Sequence, residues 1–461
     1  MPMIGPSYGV TAQAPLASPH DTYLRLLAGT LAGYAILGRG FAAVGVPPLF
    51  IGEVVLALGL IVLMRTRCWF AMLGTPASVL LAVLILWGVI RTVPFIGVHG
   101  VDALRDSVVL VYGLFAFIVV AILLEEPRRL AWIVRAYGGL AWVYGLTGGL
   151  LFVASITSAE FVQIPNSEIR LPYVRAGEAA SHLAGAAVFT LVGLRASTPL
   201  WCTLLIANMA LVTLSRAAML TCLVPVMLAA VLSGQLRRFL PAVLLGLSLL
   251  AAAAALDLRV PLPGGRDLGA AQIVEGLESV VGSSNASNFE GTKQFRLNWW
   301  ATIRNYTFHG PYFWTGKGFG ANLAMEDGYQ GSEPGESKLR SPHNGHMTIL
   351  ARAGVPGLAL WLVLLAVWFG MLLYHAAVAS RRRQPRWVSL FLWLTCYGAA
   401  ILINASFDVA LEGPMIGIWF WSLFGLGIGA TMIYRAGLAW VLDDDPHRQR
   451  WSGTKVSLLP S

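Results

Sequence analysis

The chain has 461 residues, 57% apolar and only 12% charged, with mean hydropathy +0.69, where a soluble domain carries about a quarter charged residues. That deficit excludes an ordinary soluble enzyme and points to a membrane protein. The net charge of +9 then ceases to suggest nucleic acid and becomes a question of which side of the membrane the arginines occupy.

From the N-terminus, the first 22 residues are polar, hold no Lys or Arg and lead into an apolar run without a small-residue cleavage site, so they read as a retained cytoplasmic tail. A span needs about 20 mostly apolar residues. Twelve candidates start near Leu24, Pro47, Pro76, Ser107, Leu130, Ala179, Pro199, Ala217, Phe239, Met347, Trp387 and Met415. The expected fold class is an all-α polytopic membrane protein of about 12 transmembrane helices, with one large, mainly helical periplasmic loop between spans 9 and 10. Residues 1–256 read as the tail and spans 1–9, 257–345 as that loop, 346–437 as spans 10–12, and 438–461 as a cytoplasmic tail. The four cysteines, Cys68, Cys202, Cys222 and Cys396, lie in or beside apolar runs, so no disulfide framework or zinc site is suggested.

Alternate connections are short and basic: Arg65 and Arg67, Arg128 and Arg129, Arg195, Arg237 and Arg238, and Arg381 to Arg383 with Arg386. The positive-inside rule makes that side cytoplasmic, together with both termini, in an inner-membrane protein. The opposite side holds Arg91, Arg105, Arg170, Arg175, Arg216 and the segment from Asp257 to Pro342. Arg216, in Thr213-Leu-Ser-Arg216, sits in a tight turn with no neighbouring acid. It reads either as a side chain snorkelling to lipid headgroups or as a phosphate ligand.

Between Gly291 and Leu323 stand Lys293, Arg296, Arg304 and Lys317 without an acid, an anion-binding strip. Thr292 to Phe308 has the spacing of an amphipathic helix, with Phe295, Trp299 and Ile303 expected to anchor it at the membrane interface. Arg296 and Trp300 stand at i and i+4, where a guanidinium for phosphate and an indole for a sugar face share one surface. Thr315-Gly-Lys-Gly-Phe-Gly320 is neither GxGxxG nor a Walker sequence and reads as a tight turn near the site. Ser341-Pro342 predicts a helix start with Ser341 as N-cap, which puts His343 in the first turn, where the helix dipole favours the neutral, proton-accepting imidazole. That helix is expected to stop at Gly354-Val-Pro-Gly357. His346 offers a second imidazole, but no third ligand stands beside the pair, so His346 reads as packing or support and no metal is expected.

His343-Asn344, nine residues, then Gly354-Val-Pro-Gly357 resembles the His-(Asn/Ser/Gln)-x9-Gly-x-x-Gly pattern of bacterial O-antigen ligases. The wider layout, with Ser215-Arg216 opening the eighth span and Arg296 followed by tryptophans, is similar to the O-antigen ligase and polymerase superfamily. The resemblance implies a metal-independent, inverting transfer of a glycan from an undecaprenyl-type diphosphate carrier to an acceptor sugar, such as lipid A core, without cofactor or nucleotide. It implies His343 as general base and Arg216 and Arg296 as diphosphate ligands. Asn344, Arg105, Arg304, Lys317, Trp300 and His346 complete the expected substrate-binding set, although the acids beside Arg105 also give that arginine a structural explanation. The Arg-x10-Gly spacing frequent in polymerases is absent after Arg170, Arg175, Arg296 and Arg304, which favours a ligase over a polymerase. A lipid-linked sugar flippase, which needs the cations but no base, is the alternative of a different class. Paired Gly/Pro-broken half-helices, the sequence mark of many transporters, are not seen.

Overall fold

The computed structural model of the chain describes residues 18–443 apart from 47–48, 158–161, 164–169, 214, 257–258, 263–265, 270–286 and 331–338. Most of both predicted tails, and part of the large loop, lie outside the described residues.

The helices relevant to the site are α1 (Pro19–Leu37), α2 (Ile51–Met64), α3 (Pro76–His99), α4 (Val101–Val111), α5 (Leu114–Glu125), α6 (Arg129–Thr157), α7 (Ala176–Leu191), α8 (Pro199–Val212), α9 (Arg216–Leu232), α10 (Leu236–Ala255), α11 (Ser287–Phe308), α12 (Gly345–Arg381), α13 (Pro385–Ala405) and α14 (Pro414–Arg435). Each predicted span start falls in or within a few residues of a helix. Five of these helices, α3, α6, α12, α13 and α14, are long and apolar enough to cross a membrane; α4 and α5, bent by 44° at their junction, make a sixth if read as one span. The helices α2, α8 and α9 are apolar but shorter. The large loop is not wholly helical, because Arg259–Leu262 and Arg266–Gly269 pair as an antiparallel hairpin ahead of α11.

Local chemistry sets the starts. Ser18, Thr75 and Thr198 each precede a proline, and each hydroxyl accepts a backbone N–H from the first turn. Proline at the first helical position loses nothing, since that N–H has no intrahelical partner. Inside the bundle the tryptophans bind helices to one another, since an indole N–H left alone in an apolar medium is costly. Trp368 donates to Phe424 O, Trp393 to Gly185 O, and Trp421 to Val109 O, each across a helix interface. Close approach also matters: Gly425 of α14 lies against the backbone of Ala116 in α5, a contact that only a residue without a Cβ permits.

The two ends of the bundle differ in chemistry. Arg67 N bonds Glu125, Arg129 pairs with Asp21, Ser389 bonds Val192 O and Arg435 reaches Gly74 O, so the basic connections gather at one end. At the other end, Cys222 lies over Ala180 O, Arg175 pairs with Asp408 and Thr348 bonds Glu412. The starts of α7, α9, α12 and α14 and the end of α13 are thereby brought level.

The helix α12 is broken at Gly354, whose φ of 72° and ψ of −173° are not helical. A break leaves carbonyls without their i+4 donors, and Pro356 removes a further donor. The orphans are captured from elsewhere: Lys317 N donates to Ala351 O at 2.7 Å, Gly318 N to Arg352 O at 3.0 Å, and Trp87 Nε1 to Ala353 O at 2.9 Å. The Thr315 to Gly320 segment is thus a turn fitted onto the break, and Gly316, Gly318 and Gly320 all have positive φ. A Cβ on Gly354 would meet Phe313 O at 2.7 Å. Gly354→Ala is therefore expected to cost about 1–3 kcal/mol from backbone strain alone, read as a lower thermal unfolding midpoint in detergent.

Beneath the break lies a buried ion network. Arg352 is 1% exposed and pairs with Asp106 of α4 at 3.0 Å; Arg340 pairs with the same carboxylate at 2.9 Å and with Asp102 at 3.2 Å. Arg352 also donates to Ala321 O at 3.0 Å. Removing one member of a buried pair leaves the rest desolvated without compensation, so Arg352→Met is expected to destabilise by about 3 kcal/mol, measured by the same unfolding assay.

Candidate active site

Asn344, not Ser341, caps the helix that follows His343: its Oδ1 accepts from His346 N at 2.9 Å and Met347 N at 3.1 Å, and α12 begins at Gly345. The predicted start at Pro342 is therefore three residues early. Pro342 O accepts the indole N–H of Trp300 at 2.8 Å, and the Asn344 side chain supplies the cap. The nine residues between Asn344 and Gly354 are the short helix that runs from this cap to the break.

His343 consequently stands outside the helix, in left-handed backbone with φ 51°. Non-glycine residues adopt that region rarely, and His is among those enriched there. Its Nδ1 is buried and lies 3.5 Å from Asp408 Oδ1, at the outer limit of a hydrogen bond, and the two side chains are 29% and 27% exposed. The ring therefore faces the Asp408 carboxylate through Nδ1 rather than a helix N-terminus. Asp408 follows the end of α13 and receives its own backbone anchors, Asp408 N donating to Asn404 O at 3.0 Å. Burial works to raise its carboxyl, but the His343 ring beside it and the Arg175 charge outweigh that and hold it at about 2.

Two arginines flank the pair. Arg175, just before α7, lies 3.4 Å from both Asp408 oxygens. Arg296 of α11 donates to Phe407 O at 2.9 Å, one residue from Asp408, and burial lowers its guanidinium below the usual range. A partly desolvated guanidinium gains more from an arriving anion than a solvated one. Arg216 is half-buried at the first position of α9, whose Ser215 cap accepts from Ala218 N. Since α9 packs along both α7 and α13, this start lies at the same end of the bundle as Asp408.

The remaining predicted residues separate into supports and surface groups. Trp300 fixes the backbone next to His343 through Pro342 O. His346 accepts from Trp361 Nε1 at 2.9 Å on Nδ1 and lies 3.1 Å from Ser406 Oγ on Nε2, so both ring nitrogens are engaged within the protein. Lys317 is held by Asp327 at 2.6 Å and Glu326 at 3.3 Å over the Tyr306 ring, which places its ammonium within a local ion pair. Arg105 is 52% exposed and bridges Asp102 and Asp106. Arg304 is exposed on α11. Among the described residues, no group of three His, Cys, Asp or Glu side chains could hold a metal ion.

The anchoring role expected for Trp299 and Ile303 is overturned. Trp299 and Ile303 are fully buried against Leu323, Ala324, Leu350 and Ala351, and Trp299 donates to Asp327 at 2.7 Å. Phe295 keeps partial exposure and packs edge-on to Trp299 and Tyr329. This stripe docks α11 onto the short helix after His343 rather than into lipid. Sequence reasoning also missed Asp408, Arg175 as a site residue, Arg340, Arg352 and Glu412. A carboxylate in a short connection on the side bearing His343 was the available signal for Asp408.

These features define a polytopic α-helical membrane protein with a His–Asp pair set among arginines at one end of its bundle. Residues 201–362 match a family model described as O-antigen ligase, a stretch that includes Arg216, Arg296, His343 and Gly354. The chain is thereby similar to the O-antigen ligase and polymerase superfamily, whose members are membrane glycosyltransferase-like enzymes. A comparison with curated proteins finds no match.

The sign of the pH dependence follows from the depressed Asp408 carboxyl. Its contribution to stability is complete above the unfolded value near 4 and is lost as pH falls through about 2. Unfolding midpoints of the wild type are expected to drop more steeply across that interval than those of Asp408→Asn.

Proposed function

We propose that the protein transfers a glycan from a polyprenyl diphosphate carrier to a sugar hydroxyl at the membrane face that bears His343, which is the periplasmic face of an inner membrane. The observation that carries this reading is the His343–Asp408 pair, 3.5 Å apart, because an imidazole set beside a carboxylate can serve as the base for bond formation, a step that moving a lipid-linked sugar does not require. Burial of Arg296 and the placement of Arg216 at the same end support it.

In this mechanism His343 Nε2 removes the proton from the acceptor hydroxyl as that oxygen attacks the anomeric carbon. The new glycosidic bond forms on the face opposite the departing carrier diphosphate, so the anomeric configuration inverts. Asp408 stabilises the imidazolium at Nδ1. Arg216 and Arg296 hold the diphosphate as charge collects on its leaving oxygen, and Arg175, kept in place by Asp408, adds to the positive field. One well-placed donor of this kind is worth roughly 3 kcal/mol in the transition state. The x9 helix and the Trp300 bond to Pro342 O maintain the His343 backbone, so Trp300 acts by positioning.

His343→Ala is expected to abolish transfer by purified protein supplied with lipid diphosphate glycan and acceptor, while the protein still folds, because Arg175 continues to pair with Asp408. Retained transfer would remove His343 from the base role. Arg216→Ala and Arg296→Ala should each lower transfer by roughly 10²-fold or more. Lys at these positions should restore only part of it, because the bidentate fork is lost; full rescue would argue against bidentate phosphate recognition. Deletion of the gene separates a ligase, which leaves lipid A core uncapped, from a polymerase, which leaves chains of a single repeat unit.

A further inference from the structure

We propose that the bundle end opposite His343 carries a binding site for one anionic phospholipid, in a cavity between the start of α3, the second half of α12 and the end of α14. The cavity has a volume of ≈ 360 Å³. Its lining changes character along the membrane normal: Val367 and Met371 on successive turns of α12, then Tyr374 and His375, with Thr431 and Arg435 one turn apart on α14. Two helical turns span about 11 Å, so apolar walls give way to a cation over the distance from the upper acyl chain to the phosphate of a lipid.

Two further observations point to a ligand. The Thr431 hydroxyl is fully buried and has no hydrogen-bond partner among the described residues. A buried hydroxyl is normally satisfied, and an acceptor supplied from outside the protein would do so. Arg435 is exposed, donates to a backbone carbonyl, Gly74 O at 3.3 Å, and forms no ion pair among the described residues. Arg382, over the Tyr434 ring at 5.9 Å, adds positive field nearby.

The lining holds a cation and no carboxylate, so a negatively charged headgroup is matched and a zwitterionic headgroup finds nothing for its ammonium. Leu373 and Tyr374, exposed beside the cavity, place its opening on an apolar outer surface of α12, which favours a lipid over a soluble anion. Basic pockets between spanning helices are a recurrent form of headgroup recognition. This site does not depend on the transfer reaction.

The test uses full-length protein, delipidated in detergent, with three probes: 1-palmitoyl-2-oleoyl phosphatidylglycerol, the matching phosphatidylcholine, and inorganic phosphate. Bound lipid is counted by native mass spectrometry and the unfolding midpoint is followed. Phosphatidylglycerol should remain bound and raise the midpoint while phosphatidylcholine does neither. Arg435→Gln should weaken phosphatidylglycerol binding roughly fivefold, Thr431→Val should weaken it in the same direction, and Arg67→Gln should leave it unchanged. Equal retention of both lipids, or unaltered phosphatidylglycerol binding in Arg435→Gln, overturns the proposal. Inorganic phosphate producing the same midpoint shift as phosphatidylglycerol overturns the lipid assignment. If Arg435→Gln fails to fold, Thr431→Val and the wild-type lipid comparison decide the question.

Discussion

The site depends on a helix that is made to stop. At Gly354 the chain leaves helical backbone, and three carbonyls, those of Ala351, Arg352 and Ala353, accept from donors outside the helix. In an apolar setting such groups have to be satisfied by the protein itself. The Thr315 to Gly320 turn and Trp87 supply the donors, which ties a segment of the large loop and a residue of α3 to the same point. From that junction the short helix back to Asn344 has a fixed direction, and His343 is placed at its far end.

Around this helix the charges are arranged in two layers with different consequences. The deeper layer, Asp106 with Arg340 and Arg352, is buried and internally compensated; it holds the loop against α4. The shallower layer, Asp408 with His343 and Arg175, and Arg296 one residue away, is only partly covered. Compensated burial gives rigidity, whereas partial exposure leaves groups that a substrate can reach. The same residue type is thus locked in an ion pair at Arg352 and bonded only to a backbone carbonyl through Nη1 at Arg296, and the difference is set by which acid lies within reach.

The opposite end of the bundle uses arginine in a third way. There the basic connections converge, and Arg435 stands beside a cavity whose walls turn from apolar to cationic. The two ends are joined by tryptophan-bonded helices that keep their relative register.

The sequence by itself determined the apolar character, the helices that start at Pro76 and Pro199, and the stop at Gly354. These are local signals, carried by composition, capping chemistry and backbone preference. It misplaced what depends on competition between local choices: Ser341-Pro342 satisfies every rule for a helix start, yet Asn344 caps, and the Pro342 carbonyl is taken by the Trp300 indole. It also gave Trp299 and Ile303 to the membrane, since an apolar stripe does not say what covers it, and the cover proved to be the short helix itself. Only the tertiary structure decided that Asp408 stands beside His343 across 65 positions of chain, because a pairing between distant residues is written in the packing of α7, α12 and α13 and in no local pattern.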